Sequence, residues 1–490
     1  MSDVERGTKY KNTLAEAPQN ISRSPLKEGI FRGERRGLFI LVEFPDVEFS
    51  RRDIREVYEG ICNTVGYDTY PYLGSVRDYF LEQSDGLFDL TFDIVGPVMA
   101  DNYESYYGGN SGWGIDGNVS SLVKEVINKV KNTVDFHDYD WNGDGECDQV
   151  FLLYAGYGEA QGGPSWTIWP CEGKLSKQLG SNGPMEVDGV TIDTFACSCE
   201  LNGKEGDHID GIGTICHEFS HCLGLPDFYN ASDMDDYCMI TYDVMDLGVY
   251  NYGGYCPCGY TGWERWYCGW RDLVVLDEPQ AIDNWQSLTE GGATYIIRND
   301  GDRKGNEYYV LDNRQFVGFD QYLYSAGMVV MHVDYDATAW AENKVNTDKK
   351  HQRFMLVAAD NMMDFATSDT DAFPYTYMNG QRTLDSLTNN THPRTTTFVK
   401  NKDGKNLLNK PVYDIRQHDD GLMSFGFMMH NVPPVPEEPT GIVDIQQSTA
   451  YFEQSPAVYD LQGRLVSRGD EGISMKKGVY VVNGKKIINQ

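Results

Sequence analysis

The chain lacks any apolar run approaching the roughly 20 residues that a membrane-spanning helix needs, so no transmembrane segment is expected. It is also poor in positive charge. Forty-one Lys and Arg face 74 Asp and Glu, leaving a net charge of -33. A surface of that sign repels nucleic-acid phosphates and anionic membranes while favouring solubility and divalent cations. No nucleic-acid partner is therefore expected. The opening stretch, MSDVERGTKYKNTLAEAPQN, is polar and has no apolar signal-peptide core. Cysteine is missing before Cys62 and after Cys268, and the total of 11 is odd, so at least one thiol stays unpaired. C-x-x-C spacing is absent too. The two C-x-C pairs, Cys197/Cys199 and Cys256/Cys258, fit scattered thiols with one or two disulfides better than a structural zinc cluster. No internal repeat is found.

What is present changes along the chain. Residues 1–35 read as a polar leader. Arg36 to Ser50 (RGLFILVEFPDVEFS) is a buried strand ending at a proline turn, and Ser75 to Val98 reads as helix, glycine turn and alternating strand. Ser120 to Val134 places Leu122, Val123, Val126, Ile127 and Val130 on one helical face. Cys147 to Ala160 is another buried strand. Strands alternate with helices as far as residue 275, which predicts an α/β (α+β) domain over 36–275. Short β-type segments such as EYYVLDN and GMVVMHVDYD then predict an all-β, sandwich-type domain over 276–431. Four prolines in VPPVPEEP make 432–441 a stiff linker. Residues 442–490 read as a small β module with Asn483-Gly484 as a hairpin turn.

The chemistry concentrates in HEFSHCLGLPDFYN, His217 to Asn230. His217 and His221 lie four residues apart, on one helix face, where two imidazoles can grip one zinc ion. Glu218 sits beside them, placed to take a proton from a metal-activated water. Gly224 can end the helix in a left-handed conformation and Pro226 prevents its continuation, so Asp227 can turn back as third ligand. Glu264, on a following helix, is the rival for that position. Met245 in YDVMDLG sits at a turn of the kind that lies beneath the zinc in metzincin proteases.

A second cation site is expected in DYDWNGDGECD. Asp140, Asn142, Asp144 and Asp148 follow the first half of a calcium loop, but its twelfth position is Phe151 rather than Glu.

HEFSHCLGLPDFY resembles the HExxHxxGxPD motif of the immune inhibitor A family of secreted bacterial metallopeptidases. LFILVEFPDVEF, VRDYFLEQSDGLFDLT, DWNGDGECDQVFLLYAGYGEA, GWERWYCGW, EYYVLDNRQFVGFD and GMVVMHVD resemble further blocks of that family, in its order, from Leu38 to Asp334. The resemblance implies a metzincin-like catalytic domain and zinc-dependent cleavage of protein or peptide substrates. It implies ligand roles for His217, His221 and Asp227, and a base role for Glu218. Metzincins proper more often place His where Asp227 stands. The last fifty residues are similar to C-terminal sorting or anchoring modules of secreted Bacteroidetes-type proteins. That similarity implies export to the medium or cell surface, a removed signal peptide, and a partner in the secretion machinery or at the surface. Two other readings fit the motif: a non-catalytic, cation-stabilised surface binding protein on a protease scaffold, and a zinc hydrolase of a non-peptide amide. Tyr250, Tyr252 and His208 are the candidate oxyanion donors.

Overall fold

The computed structural model describes residues 30–110, 116–378 and 380–431, and the strands Val443–Asp444, Ala457–Asp460, Leu465–Arg468, Gly478–Val482 and Lys485–Asn489. It is a mixed α/β chain with several sheets, and it divides into two units, 1–431 and 432–490. The proline-rich linker and the Asn483-Gly484 turn lie outside the described residues, as do residues 1–29 of the expected leader.

The first sheet explains the apolar strands. β1 (Gly33–Glu43) lies between β2 (Phe88–Met99) and β3 (Val150–Tyr157), parallel to both. β5 (Thr194–Leu201) continues the parallel set, and β4 (Cys171–Lys174) closes it as an antiparallel edge. The order is β2-β1-β3-β5-β4. A central parallel strand is covered on both faces, hence the unbroken Leu38–Val42 run. One face packs against α1 (Ile54–Asn63), α2 (Val76–Gln83) and α4 (Gly213–Cys222) through Phe39, Leu41, Tyr58, Phe80 and Phe219. The other face packs Leu38, Ile40 and Leu152 against α3 (Val119–Val130) and its expected stripe of Leu122, Val123, Val126 and Ile127. Phe31, from the end of the expected leader, is buried against Phe88 and Trp141.

After α5 (Gly262–Tyr267) the chain is predominantly β. A five-stranded sheet runs β11-β10-β9-β8-β6, made of β6 (Leu273–Val275), β8 (Thr294–Arg298), β9 (Glu307–Arg314), β10 (Gly327–Asp334) and β11 (Phe354–Leu356). A second sheet has the order β7 (Gln280–Trp285), β13 (Met423–Phe427), β12 (Val412–Gln417). Alternation divides the residues of the first between two cores. Ile297, Tyr309, Leu311, Met328 and Val330 face the second sheet. Ile296, Tyr308, Val310, Val329 and Met331 join the core that packs against the first sheet, so the apolar core runs on across residue 275.

The expected disulfides are not found: none of the 11 cysteines is joined to another by an S–S bond. Most are buried one by one among apolar side chains. Cys171 and Cys197 face each other across β4 and β5 at 3.8 Å between sulfurs. The Cys-x-Cys pairs build no metal cluster among the described residues.

Arg314 at the end of β9 ties the two segments together. Its fully buried guanidinium donates to both oxygens of Asp320, at 2.5 and 2.6 Å, and to the carbonyls of Gly259 at 2.8 Å and Tyr242 at 3.3 Å. Removing one member of such a buried pair strands the other charge. Arg314→Ala should therefore cost about 3–5 kcal/mol of unfolding free energy in a denaturant titration; a loss below about 1 kcal/mol, the ceiling for an exposed pair, would contradict this reading.

Candidate metal centre

α4 carries the two histidines and the glutamate into the cavity floor. It starts at Gly213, where a Cβ would meet the Val249 carbonyl oxygen at 2.2 Å, so only glycine allows this close approach. It ends with a paired turn: Gly224 N donates to the His221 carbonyl and Leu225 N to the Ser220 carbonyl. Gly224 takes φ +85° there, the left-handed position that closes such helix ends. The chain then reverses through Pro226 and brings Asp227 back under the helix.

The result is a three-cornered site. Asp227 Oδ1 lies 3.3 Å from His217 Nε2 and 3.3 Å from His221 Nε2, all three side chains nearly buried. Both rings are oriented from behind. His217 Nδ1–H donates to the Val244 carbonyl at 2.8 Å, and His221 Nδ1–H to the Leu225 carbonyl at 2.7 Å. Those bonds leave each Nε2 facing the carboxylate, and a hydrogen bond on the far ring nitrogen is the arrangement found behind metal-ligating histidines. Asp227 Oδ1 is buried without a hydrogen-bond partner. Bonds of about 2.0–2.1 Å to a tetrahedral zinc would separate its ligands by about 3.3 Å, so the donor set fits a zinc ion in element type and spacing. Glu218 joins the two histidines in the one group of metal-binding type among the described residues, with ligand atoms within 4.8 Å of one another.

Electrostatics follow from this packing. Burial alone would lower the basicity of His221, but the Asp227 carboxylate outweighs it and raises the pKa to about 9. His217 is shifted the same way. Burial acts on Asp227 in the opposite direction to the imidazoles, and the imidazoles hold its carboxyl far below its usual range. Burial pushes Glu218 well above the ordinary carboxylate value, opposed by His217.

Of the other expected residues, Met245 is fully buried. It follows Val244, the acceptor for His217, and its own carbonyl accepts from Phe228 N at 2.8 Å. Glu264 is spent elsewhere: it forms a capping box on α5, accepting from Thr261 N at 2.7 Å and Thr261 Oγ at 2.9 Å. Tyr250 lines the cavity, whereas Tyr252 stacks on Tyr322 at 4.1 Å between centroids, and His208 is exposed. In the acidic loop, the carboxylate of Asp140 accepts from the amides of Asp144 and Gly145, and that of Asp148 accepts from Trp141 N. Phe151 is buried in β3.

The cavity above the histidines measures about 940 Å³. The edge strand β4 forms one wall, with Cys171, Glu172 and Lys174; Tyr229 and Tyr250 also line it, and Asn142, Asp144 and Asp148 reach it from the acidic loop. Trp340 to Lys344, from the β-rich segment, complete the lining. Asn343 among them bonds directly to Asp227. Sequence reasoning missed Tyr229, Glu172 and Asn343, and for Asn343 the only local signal was a turn-prone residue after the short AWAE stretch.

A helix-borne histidine pair with an adjacent glutamate and a returning carboxylate offers the donors that a catalytic metal ion requires. Residues 32–268 match the family described as Immune inhibitor A peptidase M6, catalytic domain. The pre-pro-metalloprotease PrtV of Vibrio cholerae serotype O1 is 25% identical over 315 residues, covering 54% of this chain and 33% of that protein. Immune inhibitor A of Bacillus thuringiensis subsp. alesti is 24% identical over 260 residues, covering 43% of this chain and 36% of that protein. The chain thus spans about a third of the length of these curated relatives. OgpA from Akkermansia muciniphila aligns at a TM-score of 0.27 and 14% identity, over 59% of this chain and 75% of that one, a likeness too loose to carry an argument.

Gly224→Ala isolates the role of the turn. Its Cβ would meet only Tyr267, at an ordinary 3.6 Å, so the cost is conformational. A left-handed alanine should lower stability by about 1–2 kcal/mol and displace the carbonyl that orients His221. Unchanged chemical denaturation would show that the turn does not depend on glycine.

Proposed function

We propose that this chain is a zinc-dependent endopeptidase. His217, His221 and Asp227 would hold the metal, with Glu218 as the general base. The observation that carries this reading is Asp227 Oδ1, equidistant at 3.3 Å from two imidazole nitrogens whose other nitrogens are already committed. The M6 match over residues 32–268 and the relatives named as a metalloprotease and an immune inhibitor support it.

When bound, zinc supplies Lewis acidity, polarising the scissile carbonyl and bringing the pKa of a water towards neutrality. Glu218, placed beside the histidines, takes a proton from the attacking water onto its carboxylate. It then delivers that proton to the leaving amine nitrogen as the C–N bond breaks. Burial favours this, since it strengthens the Glu218 carboxylate's hold on the proton between the two steps. β4 is the last strand of its sheet and lines the cavity. An extended substrate backbone lying alongside this strand would have its scissile bond aligned with the site. Tyr250, which lines the cavity, is the phenol we assign to the developing oxyanion. Extracellular action, and a surface or secretion partner for the C-terminal strands, are the setting we assign to this activity.

Glu218→Ala should bind zinc as the wild type does and lose roughly 10²–10⁴-fold or more in peptide cleavage, the contribution of a positioned general base. Parallel zinc analysis and casein hydrolysis check it; undiminished hydrolysis would remove Glu218 from the mechanism.

The acidic loop is part of the same proposal as a calcium site. Its carboxylates already hold the turn through backbone amides, and its Asn142, Asp144 and Asp148 border the cavity. Calcium added to zinc-loaded protein should raise the melting temperature, and Asp144→Asn should remove most of the rise. An equal rise in both proteins, or none in either, would place calcium elsewhere.

A further inference from the structure

Asp227 is held by a residue that lies 116 positions further along the chain. Asn343 Nδ2 donates to Asp227 Oδ2 at 2.5 Å, and Asp227 N donates to Asn343 Oδ1 at 2.7 Å. The amide orientation is fixed by chemistry: a carboxylate only accepts, and a backbone N–H only donates. Each group thus satisfies the other, in a two-bond clamp. The consequence falls on the second oxygen. With Oδ2 engaged by Asn343, only Oδ1 remains to face His217 Nε2 and His221 Nε2.

Asn343 is itself held in place by a helix end. The short helix Ala337–Ala341 is capped at its start by Asp336, whose carboxylate accepts from Thr338 N and Ala339 N. It closes with Asn343 N donating to the Trp340 carbonyl and Lys344 N to the Ala339 carbonyl. Asn343 sits at φ +54°, where asparagine and glycine are the residues tolerated. This is the same closure that Gly224 makes at the end of α4. Two left-handed helix ends, one before Asp227 and one beyond residue 268, meet at one carboxylate.

We propose that Asn343 is a positioning residue for the metal centre: it fixes Asp227 as a one-oxygen ligand, so that the β-rich segment outside the residues matching the peptidase family completes the zinc site. The proposal rests on the zinc reading above. It requires no contact between Asn343 and metal or substrate. Outer-shell partners of this kind typically change metal affinity by about 10–100-fold when removed.

The test uses the full-length protein and the variant Asn343→Gly, which deletes the side chain while keeping a residue that favours the left-handed turn. Zinc affinity is read by competition with a chromophoric chelator, and cobalt(II) in place of zinc reports the coordination geometry through its visible absorption. Asn343→Gly should weaken zinc about 10–100-fold and alter the cobalt spectrum, with the thermal melt of the chelated protein unchanged. In an Asp227→Ala background the same substitution should change neither quantity, because the group it positions is gone. Wild-type affinity and spectrum in Asn343→Gly, with Asp227→Ala impaired, would overturn the clamp and leave the zinc reading intact. Equal losses in both backgrounds would also overturn it, assigning Asn343 a general structural role. Tight zinc binding by Asp227→Ala itself would overturn the ligand assignment, and the clamp with it.

Discussion

A buried carboxylate oxygen with no hydrogen bond is costly unless something of opposite charge faces it. Asp227 Oδ1 is such an atom, and much of the surrounding structure can be read as the means of keeping it there. The helix end at Gly224 turns the chain back. The Val244 and Leu225 carbonyls aim two imidazoles at it. Asn343 occupies the other oxygen. The first two use backbone geometry, which fixes direction more firmly than a flexible side chain can, and the third is a side-chain amide that also accepts from Asp227 N.

The sheets supply the frame for that geometry. β5 and the edge strand β4 form the platform beside α4, and β4 also borders the cavity. The β-rich segment is joined to this platform through a shared core, through Arg314 and through Asn346, which donates to the Phe228 carbonyl immediately after Asp227. Phe228 stacks on Phe354 of β11 at 4.0 Å between centroids. The chain just after the carboxylate is therefore anchored in the segment that lies well beyond the helix carrying the histidines.

Much of this was legible in the sequence, for definable reasons. The i, i+4 histidines, the glycine stop and the returning aspartate are local signals, because helix periodicity and left-handed closure operate over a few residues. The apolar strands and the amphipathic helix were readable for the same reason. Asn343 was not, because its partner is distant in sequence and an asparagine ending a short helix carries no mark of what it touches. The shared core was also hidden. Alternation along β9 and β10 gives two apolar faces, but not the identity of what covers each. The expected disulfides failed for a related reason: counting thiols reveals nothing about their separation, and even Cys171 and Cys197, which face each other across neighbouring strands, keep their sulfurs 3.8 Å apart.

The central claim is that one metal ion sits between His217, His221 and Asp227. Anomalous diffraction from crystals of the zinc-loaded protein, collected on either side of the zinc edge, tests it most directly. The account predicts a single strong peak at the His217–His221–Asp227 site, about 2 Å from both Nε2 atoms and from one oxygen of Asp227. A peak coordinated by Glu264 in place of Asp227, or no peak at the histidines, would contradict it.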